Sequence, residues 1–439
     1  MPPANHSLSA ASSRAVAAGI IAAWLKSGDF PDRMLDTVTR DRAFITELVY
    51  GGVRQSRALR WLARQLCRRL PDDDILACLL IGLYQIFMLA DVADYAAVNE
   101  TVAAAKAIGG AGSAGMVNAV LRRALREKSA WRARLEEQAD GIRLSHPDIL
   151  LRRWLKRYGP SRARALCEWN NRRPETVIHR HASQIAREPF QDLLKTAGIA
   201  AHPHPSRPED CLIVPAGVRI ESLPGFDTGW FYVQDPSTLT AIDLLNPQPG
   251  ETVLDVCAAP GGKSAALADR LGRAGRLVAL EIHADRLARL RQNFTRLAWA
   301  EVRIAAADAR YPASIREALA SAGLPPAYDA VLLDVPCSNT GVLRRRADAR
   351  WHFSADRLAR LVKTQGQILD TAAGFVRPGG RLIYSTCSLE PEENEEQIRR
   401  WLERNPTFTL QESRALFPPD TGTDGAFCAW LQTKQETPA

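Results

Sequence analysis

From Asp235 onward, short apolar runs alternate with helical patterns, and this alternation restricts the fold more than any other feature of the chain. Strand candidates are Thr252–Val256, Arg276–Glu281, Val302–Ala306, Asp329–Leu333 and Arg381–Ser385. Helix candidates are Lys263–Leu271, Ala284–Leu297, Ser314–Ala322, Asp356–Val376 and Glu393–Asn405. In the fourth of these, Leu358, Leu361, Val362, Gln365, Ile368, Leu369 and Ala372 fall on one face. Alternation of this kind builds a mostly parallel, doubly wound sheet with helices on both faces. Pro378-Gly379-Gly380 reads as a tight turn into the fifth strand. In an open α/β sheet, ligands bind outside the carboxyl ends of the strands. The residues that follow each strand are therefore the functional candidates.

The preceding chain has a different character. Residues 10 to about 128 carry apolar residues at helical spacing, as in Phe44, Leu48, Val49 and in Leu76, Leu79, Leu80, Leu83, Ile86, Phe87. Strand-like alternation is nearly absent, so this region is expected to be all-α, with five to seven helices. Asp72-Asp73-Asp74 after Pro71 marks a helix start. The run Ala15 to Leu25 has the length of a signal core. Only Arg14 precedes it and the helical pattern continues beyond it, so it reads as an ordinary first helix. Asp148 to Tyr158 forms a basic amphipathic pattern, broken at Asn170-Asn171-Arg172-Arg173-Pro174. Thr176 to His179 is strand-like, and the Pro- and His-rich stretch from Ala201 to Pro208 reads as a loop. The expected organisation is a helical domain over 1–140, a small α/β connector over 141–234 and an α/β domain over 235–439. A length of 439 residues accommodates three domains of ~100–200 residues each.

Charge and cysteine usage narrow the class. The formal net charge is +8. From Thr101 to Ala200 there are 19 Lys and Arg against 9 Asp and Glu, so this block exceeds the whole-chain excess. Such a block fits a nucleic-acid groove; the alternative is a solvated arginine-rich helical surface. The eight cysteines stand singly, without C-x-x-C spacing, which argues against a zinc site and against a disulfide framework. No metal is expected. Reactive thiols need a reducing compartment, and no apolar run reaches the ~18 residues of a membrane span. A cytoplasmic protein without membrane association is the expectation, with a monomer as the default.

The first α/β unit of the C-terminal domain opens into Asp255-Val256-Cys257-Ala258-Ala259-Pro260-Gly261-Gly262-Lys263-Ser264. A phosphate-binding P-loop would need glycine where Cys257 stands, and the dinucleotide spacing G-x-G-x-x-G is absent. The adjacent glycines allow close backbone approach. Asp255 can take an ammonium, and Lys263 suits a carboxylate at the helix N-terminus. Glu281 ends the second strand, where an acid accepts from ribose hydroxyls. Asp308 follows the third and could meet an exocyclic amine. Three carboxylates repel a triphosphate but suit a zwitterionic adenosyl ligand, cationic at sulfur: S-adenosyl-L-methionine. Helix capping alone is the plainer reading of Glu281 and Asp308.

Two further strand ends carry cysteine: Asp334-Val335-Pro336-Cys337-Ser338 and Tyr384-Ser385-Thr386-Cys387-Ser388. A thiolate is a soft nucleophile. Added to C6 of cytosine, it makes C5 enamine-like and able to attack a methyl sulfonium, and an acid such as Asp334 near N3 favours that addition. One thiol is the minimum, and a second could assist release. Free cysteines are often no more than buried small hydrophobes, but two at strand ends, each flanked by Ser or Thr, favour chemistry.

These residues resemble the RNA cytosine-C5 methyltransferases of the Sun/Fmu family, over nearly the whole chain. Residues 255–264 look like that family's cofactor motif, and Asp334 to Ser338 and Thr386 to Ser388 look like its two cysteine motifs. Arg14-Ala15-Val16, Asp41-Arg42-Ala43-Phe44, Leu48-Val49-Tyr50-Gly51 and Ala97-Val98-Asn99-Glu100 are similar to the helical RNA-binding domain related to the NusB antitermination factor. The resemblance implies a NusB-like N-terminal domain, a Rossmann-like class I methyltransferase domain, and a 16S rRNA or small-subunit precursor as partner. It assigns attack on C6 to Cys387 and release to Cys337. It also places cofactor contacts on Asp255, Cys257, Ala258, Ala259, Pro260, Gly261, Gly262, Lys263, Glu281, Asp308 and Asp334. Val335 and Asn339 stand where the family commonly has Ala and Gly, and Arg346-Ala347-Asp348 where it often has His-Pro-Asp. The arginines at 344, 345, 346 and 350 are expected to border the base pocket. The alternatives are the same chemistry on transfer RNA or on another ribosomal cytosine, and a non-catalytic RNA-binding assembly or antitermination factor.

Overall fold

The computed structural model describes residues 12–299 and 301–434. The chain forms two compact units. One comprises the chain up to Arg172 together with Leu343–Phe353, and the other Arg173–Val342 together with the chain from Ser354 on.

The first unit is helical. Its described helices up to residue 126 are Ser13–Ser27, Pro31–Leu35, Arg42–Arg54, Ser56–Leu66, Asp73–Met88 and Asp94–Arg126, which lies within the five to seven expected. Asp72 caps Asp73–Met88 by accepting from the Ile75 N–H, and Asp73 and Asp74 occupy its first turn. Carboxylates there complement the positive end of the helix dipole. Every residue from Ile75 to Phe87 is buried, and a helix apolar on all sides belongs at the centre of its domain. The first helix, Ser13–Ser27, buries Ala17, Ile20, Ile21 and Trp24 in the same core. The basic amphipathic helix runs further than its pattern indicates. It spans Asp148–Asn171, with a break at Gly159 (φ +76°) before Pro160, where glycine supplies the left-handed residue that the chain needs to resume its turn.

Leu343–Phe353 enters this helical core, although it lies in sequence between two strands of the other unit. Ala347 is fully buried among the helical residues, and the Trp351 Nε1–H donates to the Val53 carbonyl (2.8 Å). Arg350 has no exposed surface. Its guanidinium donates to the carbonyls of Ser145 (3.1 Å), Asn170 (3.0 Å) and Arg54 (3.3 Å), and to Asn171 Oδ1 (2.9 Å). Burial, then the nearby Arg54 charge, lowers its pKa to about 9. Arg344 is also buried and lies over the Trp169 ring (4.1 Å). The expectation that Arg344 and Arg350 border a base pocket is therefore corrected: both are packed into the helical unit, because a guanidinium can satisfy several buried carbonyls at once.

The second unit holds two sheets. The smaller has the order β2-β3-β1-β4, from strands β1 (Thr176–Arg180), β2 (His202–His204), β3 (Arg207–Val214) and β4 (Phe231–Val233). The loop expected over Ala201–Pro208 is instead a β2–β3 hairpin, His202 pairing with Ile213. Pro203 is tolerated because β2 lies at the sheet edge, where no ladder donor is needed. The larger sheet has the order β10-β11-β9-β8-β5-β6-β7, from β5 (Thr252–Asp255), β6 (Arg276–Glu281), β7 (Arg303–Ala306), β8 (Tyr328–Asp334), β9 (Val376–Thr386), β10 (Phe408–Leu416) and β11 (Ala426–Thr433). The five strands read from sequence are all present and parallel to one another. Beyond the expected elements, β10 and β11 add an antiparallel edge. Pro378-Gly379-Gly380 lies inside β9: the partner of β8 jumps from Val376 to Arg381 between Tyr328 and Ala330, with Gly379 at φ +73°. The expected turn is thus a bulge within the strand.

Alternate residues of the strands feed two cores. Val253, Leu277, Ala279, Ala330, Leu332 and Ile383 face helices Leu239–Leu245, Gly262–Leu271 and Ala284–Arg296. Leu254, Val278, Leu280, Val331, Leu333 and Leu382 face Pro312–Ser321, Ala355–Ala373 and Glu395–Arg404. The sheet is therefore doubly wound.

Candidate active site

The carboxyl edge of the parallel strands lines up the candidate residues in sheet order. Cys387 follows β9, Asp334 ends β8 and Cys337 lies three residues on, Asp255 ends β5, Glu281 ends β6, and Asp308 follows β7. The thiols are at one side, the acids of the cofactor region at the other, and Asp334 lies between them.

Asp255 is buried. One oxygen, Oδ2, accepts from the Ser264 hydroxyl (2.5 Å), and Oδ1 has no hydrogen-bond partner. Burial raises its pKa to about 7, against the opposing effect of the Ser264 bond. The following loop is held from outside. Arg286 donates to the Ala259 carbonyl (2.6 Å) and Asn293 to the Pro260 carbonyl (2.8 Å). Gly261 has φ +109°, and a Cβ there would meet Leu290 Cδ1 at 2.8 Å; one on Gly262 would meet Gln234 Nε2 at 2.9 Å. Gly261 is thus favoured by its positive φ, and a side chain at either glycine would require Leu290 or Gln234 to shift. Ala258 and Ala259 are buried, Pro260 is exposed, and Cys257 packs partly into the core. Burial pushes the Cys257 thiol pKa up, which suits a structural role.

Lys263 pairs with Asp334 (Nζ–Oδ2 2.7 Å). Burial opposes its ammonium, but the charge and hydrogen bond of Asp334 prevail and its pKa is raised. Lys263 thus meets a protein carboxylate, where the sequence reading gave it a ligand's. Glu281 is buried; its Oε1 accepts from the Ile282 and His283 N–H groups (both 3.0 Å), and Oε2 lies 3.5 Å from Arg286 Nη1. Asp308 accepts from the Arg310 N–H (3.0 Å) and pairs with its guanidinium (2.6 Å). That hydrogen bond lowers its pKa.

The orphan Asp255 oxygen, Glu281 and Asp308, aligned along one strand edge, fit a cationic adenosyl ligand better than a polyphosphate. Among the described residues no group of His, Cys, Asp and Glu could hold a metal ion, and no helix is long and apolar enough to cross a membrane.

The two thiols meet: Cys337 Sγ and Cys387 Sγ are 3.2 Å apart. Cys337 is buried and Cys387 half-buried. The hydrogen bond to Cys387, then burial, pushes the Cys337 thiol pKa well up. Cys387 Sγ also contacts Asn339 Oδ1 (3.1 Å), and Asn339 Nδ2 donates to the Cys337 carbonyl (3.2 Å). Asn339 sits at φ +61°, a conformation Asn tolerates better than most residues. Gly341 lets three backbone segments meet, since a Cβ there would lie 2.7 Å from the Gly425 carbonyl and 2.9 Å from that of Cys387. Sequence reasoning missed Glu393, which joins the two cysteine loops, and Gln365, which donates to the Pro336 carbonyl (2.9 Å). Glu393 stands in the acidic run Glu392-Glu393-Asn394-Glu395-Glu396, which reads as a solvated helix start. Gln365 was legible only as part of the apolar face of its helix.

The helical unit carries a cavity of about 500 Å³, lined by Trp24, Trp61, Trp351, His352, Arg57, Arg60 and Arg64 among others. Arg57 is committed to Asp148 (2.6 Å) and to the His146 carbonyl (2.6 Å).

Comparison with known proteins accords with this layout. Residues 242–432 match the model of the 16S rRNA methyltransferase RsmB/F family, residues 11–126 that of the NusB family, and residues 146–221 that of the RsmF/B-like ferredoxin-like domain. The chain is 35% identical over 401 residues to ribosomal RNA small subunit methyltransferase B of Vibrio cholerae, covering 89% of each. It is 35% identical over 435 residues to the protein of that name in Pseudomonas putida, covering 96% of this chain and 97% of the relative. The solved structure of PH0851 shares the fold at a TM-score of 0.77 and 22% identity, over 96% of this chain and 99% of its own. Matched by that family's model and aligned with these relatives over most of both chains, this chain belongs to the RsmB/F family of 16S rRNA methyltransferases.

Proposed function

We propose that the protein transfers a methyl group from S-adenosyl-L-methionine to C5 of a cytosine in 16S rRNA through a covalent Cys387–C6 adduct. The observation that carries this reading is the thiol pair at the carboxyl edge of the sheet, one half-buried and one buried, 3.2 Å apart. When bound, the cofactor supplies an electrophilic methyl group. Asp255, Glu281 and Asp308 are the acids that would hold it, with Lys263 oriented by Asp334.

Cys387 is the more accessible thiol and is assigned the attack on C6; the new C–S bond places the displaced electron density on C5 and N3. Asp334 is assigned the acid that gives a proton or hydrogen bond to N3, balancing that density. C5 would then take the methyl group, with the cofactor's sulfonium released as a neutral thioether; the C5 proton passes to solvent, which re-forms the C5–C6 double bond and expels the Cys387 thiolate. Cys337, kept protonated by burial and by its bond to Cys387, is positioned to hand a proton to that leaving sulfur. The target base must leave any stack to reach the thiol.

The division at 1–140, 141–234 and 235–439 is retained as the working domain scheme, supported by family matches over 11–126, 146–221 and 242–432. A 16S rRNA or small-subunit precursor partner and a cytoplasmic location belong to the same proposal. The names of the relatives and the excess of basic residues support the RNA partner.

The test mixes the protein with radiolabelled S-adenosyl-L-methionine and unmodified 16S RNA, beside Cys387→Ala and Cys337→Ala. Base methylation and denaturant-stable protein–RNA adducts are read together. Cys387→Ala is expected to abolish both, and Cys337→Ala to accumulate the adduct. If Cys337→Ala prevents the adduct instead, the two roles are exchanged. Absence of methylation by the unaltered protein on any RNA would reject the enzyme reading.

A further inference from the structure

Glu393 lies at the end of the turn Pro391–Glu393 and has no exposed surface. An ionised carboxylate offers about four acceptor positions, and here four donors use them. Oε1 accepts from the Ser338 N–H (2.9 Å) and from Gln365 Nε2 (2.9 Å). Oε2 accepts from the Ser338 hydroxyl (2.5 Å) and from the Ser388 hydroxyl. Ser338 directly follows Cys337, and Ser388 directly follows Cys387. A single buried carboxylate therefore binds the residue next to each thiol, although the two cysteines are 50 positions apart in sequence.

The turn that carries Glu393 has further hydrogen bonds that do not involve its carboxylate. The Tyr384 hydroxyl donates to the Glu393 carbonyl (2.7 Å). Asn394 accepts from the Thr386 hydroxyl (2.6 Å) and donates to the Ser388 carbonyl (2.9 Å). Gln365 gives its second amide hydrogen to the Pro336 carbonyl (2.9 Å), so the loop before Cys337 is tied to the same point. None of these hydrogen bonds goes to Asp255, Glu281 or Asp308. Its geometry does one thing, which is to hold two loops at a set separation.

We propose that Glu393 is a positioning residue whose carboxylate clamps the Cys337 and Cys387 loops into one reactive thiol pair. This deepens the proposed cysteine chemistry and rests on it for its kinetic consequence, while the clamp itself can be measured without RNA. A reacting thiol displaced by about 1 Å can lose on the order of 100-fold in rate, so a clamp at this point controls turnover more than binding. Glu393→Gln nearly preserves shape but turns one acceptor into a donor that faces existing donors.

Phenylarsine oxide provides the direct probe. It condenses with two adjacent thiols to form two As–S bonds and releases water, with no change in arsenic oxidation state, and it holds a single thiol far more weakly. Arsenical capture by the full-length protein is measured beside Cys337→Ala and Cys387→Ala as single-thiol blanks, together with thermal melting and S-adenosyl-L-methionine binding. Glu393→Gln is expected to weaken capture and to lower kcat for RNA methylation by about 10- to 100-fold each, with cofactor affinity and the KM for RNA within about twofold of the unaltered protein. Should Glu393→Gln fail to fold, Ser388→Ala removes one of the four donors and leaves the carboxylate, with capture expected to fall by about threefold or more. Unchanged capture in a folded Glu393→Gln or Ser388→Ala protein overturns the clamp, whatever happens to methylation. Loss of capture with unchanged kcat overturns its kinetic role. If Cys387→Ala still methylates, the cysteine chemistry fails, and comparing capture by Glu393→Gln with the unaltered protein still decides the clamp.

Discussion

At the residue scale, Asp255 is the most informative group outside the thiol pair. Its carboxyl is buried with one oxygen unpartnered, and burial brings its pKa to about 7, above the ordinary value of 3.8. Between these two values the folded protein keeps a proton that the unfolded chain has released. Stability therefore falls as pH rises across that window and levels off above about 7, because the folded state must then carry a buried charge. Asp255→Asn removes the titration. Relative to the unaltered protein, it should gain about 2–3 kcal/mol of stability between pH 5 and pH 8 in the absence of cofactor. Denaturant titrations of both proteins at the two pH values measure this, and a constant difference would refute it. Asn339 makes the same point about local chemistry. It departs from the family pattern, yet it takes a positive φ, which glycine adopts freely, and adds a contact to Cys387.

At the scale of elements, the loop between β5 and helix Gly262–Leu271 is held by its neighbours as much as by its own sequence. Gly261 combines φ +109° with a Cβ position 2.8 Å from Leu290 on helix Ala284–Arg296. Gly261→Ala should cost about 1–3 kcal/mol through the left-handed backbone alone, with further loss unless Leu290 shifts. The accompanying displacement of the loop should weaken S-adenosyl-L-methionine binding in calorimetry. Unchanged stability and unchanged binding would show that the loop relaxes freely. The β9 bulge is a similar case: Pro378-Gly379-Gly380 announces a turn, but pairing on either side with β8 and β11 keeps it within a strand.

At the scale of the whole molecule, the net charge of +8 favours an anionic partner. Arg57, Arg60 and Arg64 lie on one face of helix Ser56–Leu66, beside Trp24, Trp61 and Trp351 around the same cavity. Arg57 is bound within the protein, which leaves Arg60 and Arg64 as the pair to reverse. Arg60→Glu with Arg64→Glu should weaken RNA binding and reduce the steepness of its salt dependence by roughly 0.7–0.9 for each phosphate that is no longer neutralised. Cofactor affinity should stay unchanged. Titrating RNA at several salt concentrations tests this, and parallel salt plots for the two proteins would remove the helical unit from the RNA-binding surface. The arginines at 344 and 350 are unsuited to that experiment, since both are buried in the helical unit and Arg350 is committed to backbone carbonyls.

Much of this protein was legible from local patterns. The strand–helix alternation after Asp235 gave the parallel sheet, apolar spacing gave the buried helix at 73–88, and Asp255, Glu281, Asp334, Cys337 and Cys387 stood at strand ends where sheet topology makes a site. Those features depend on periods of two and 3.6 residues and on the chemistry of single side chains, which the linear order carries. The antiparallel edge of β10 and β11 and the β2–β3 hairpin were less legible, because strand pairing depends on a partner elsewhere in the chain. Three features were decided only by the tertiary structure: the 3.2 Å approach of the thiols, the burial of Glu393 between their loops, and the placing of Leu343–Phe353 in the helical core. Each joins residues separated by 50 or more positions. In the linear sequence Glu393 looks like a solvated charge and Arg350 like a residue of the base pocket; only folding shows which charge finds enough hydrogen-bond partners to be buried.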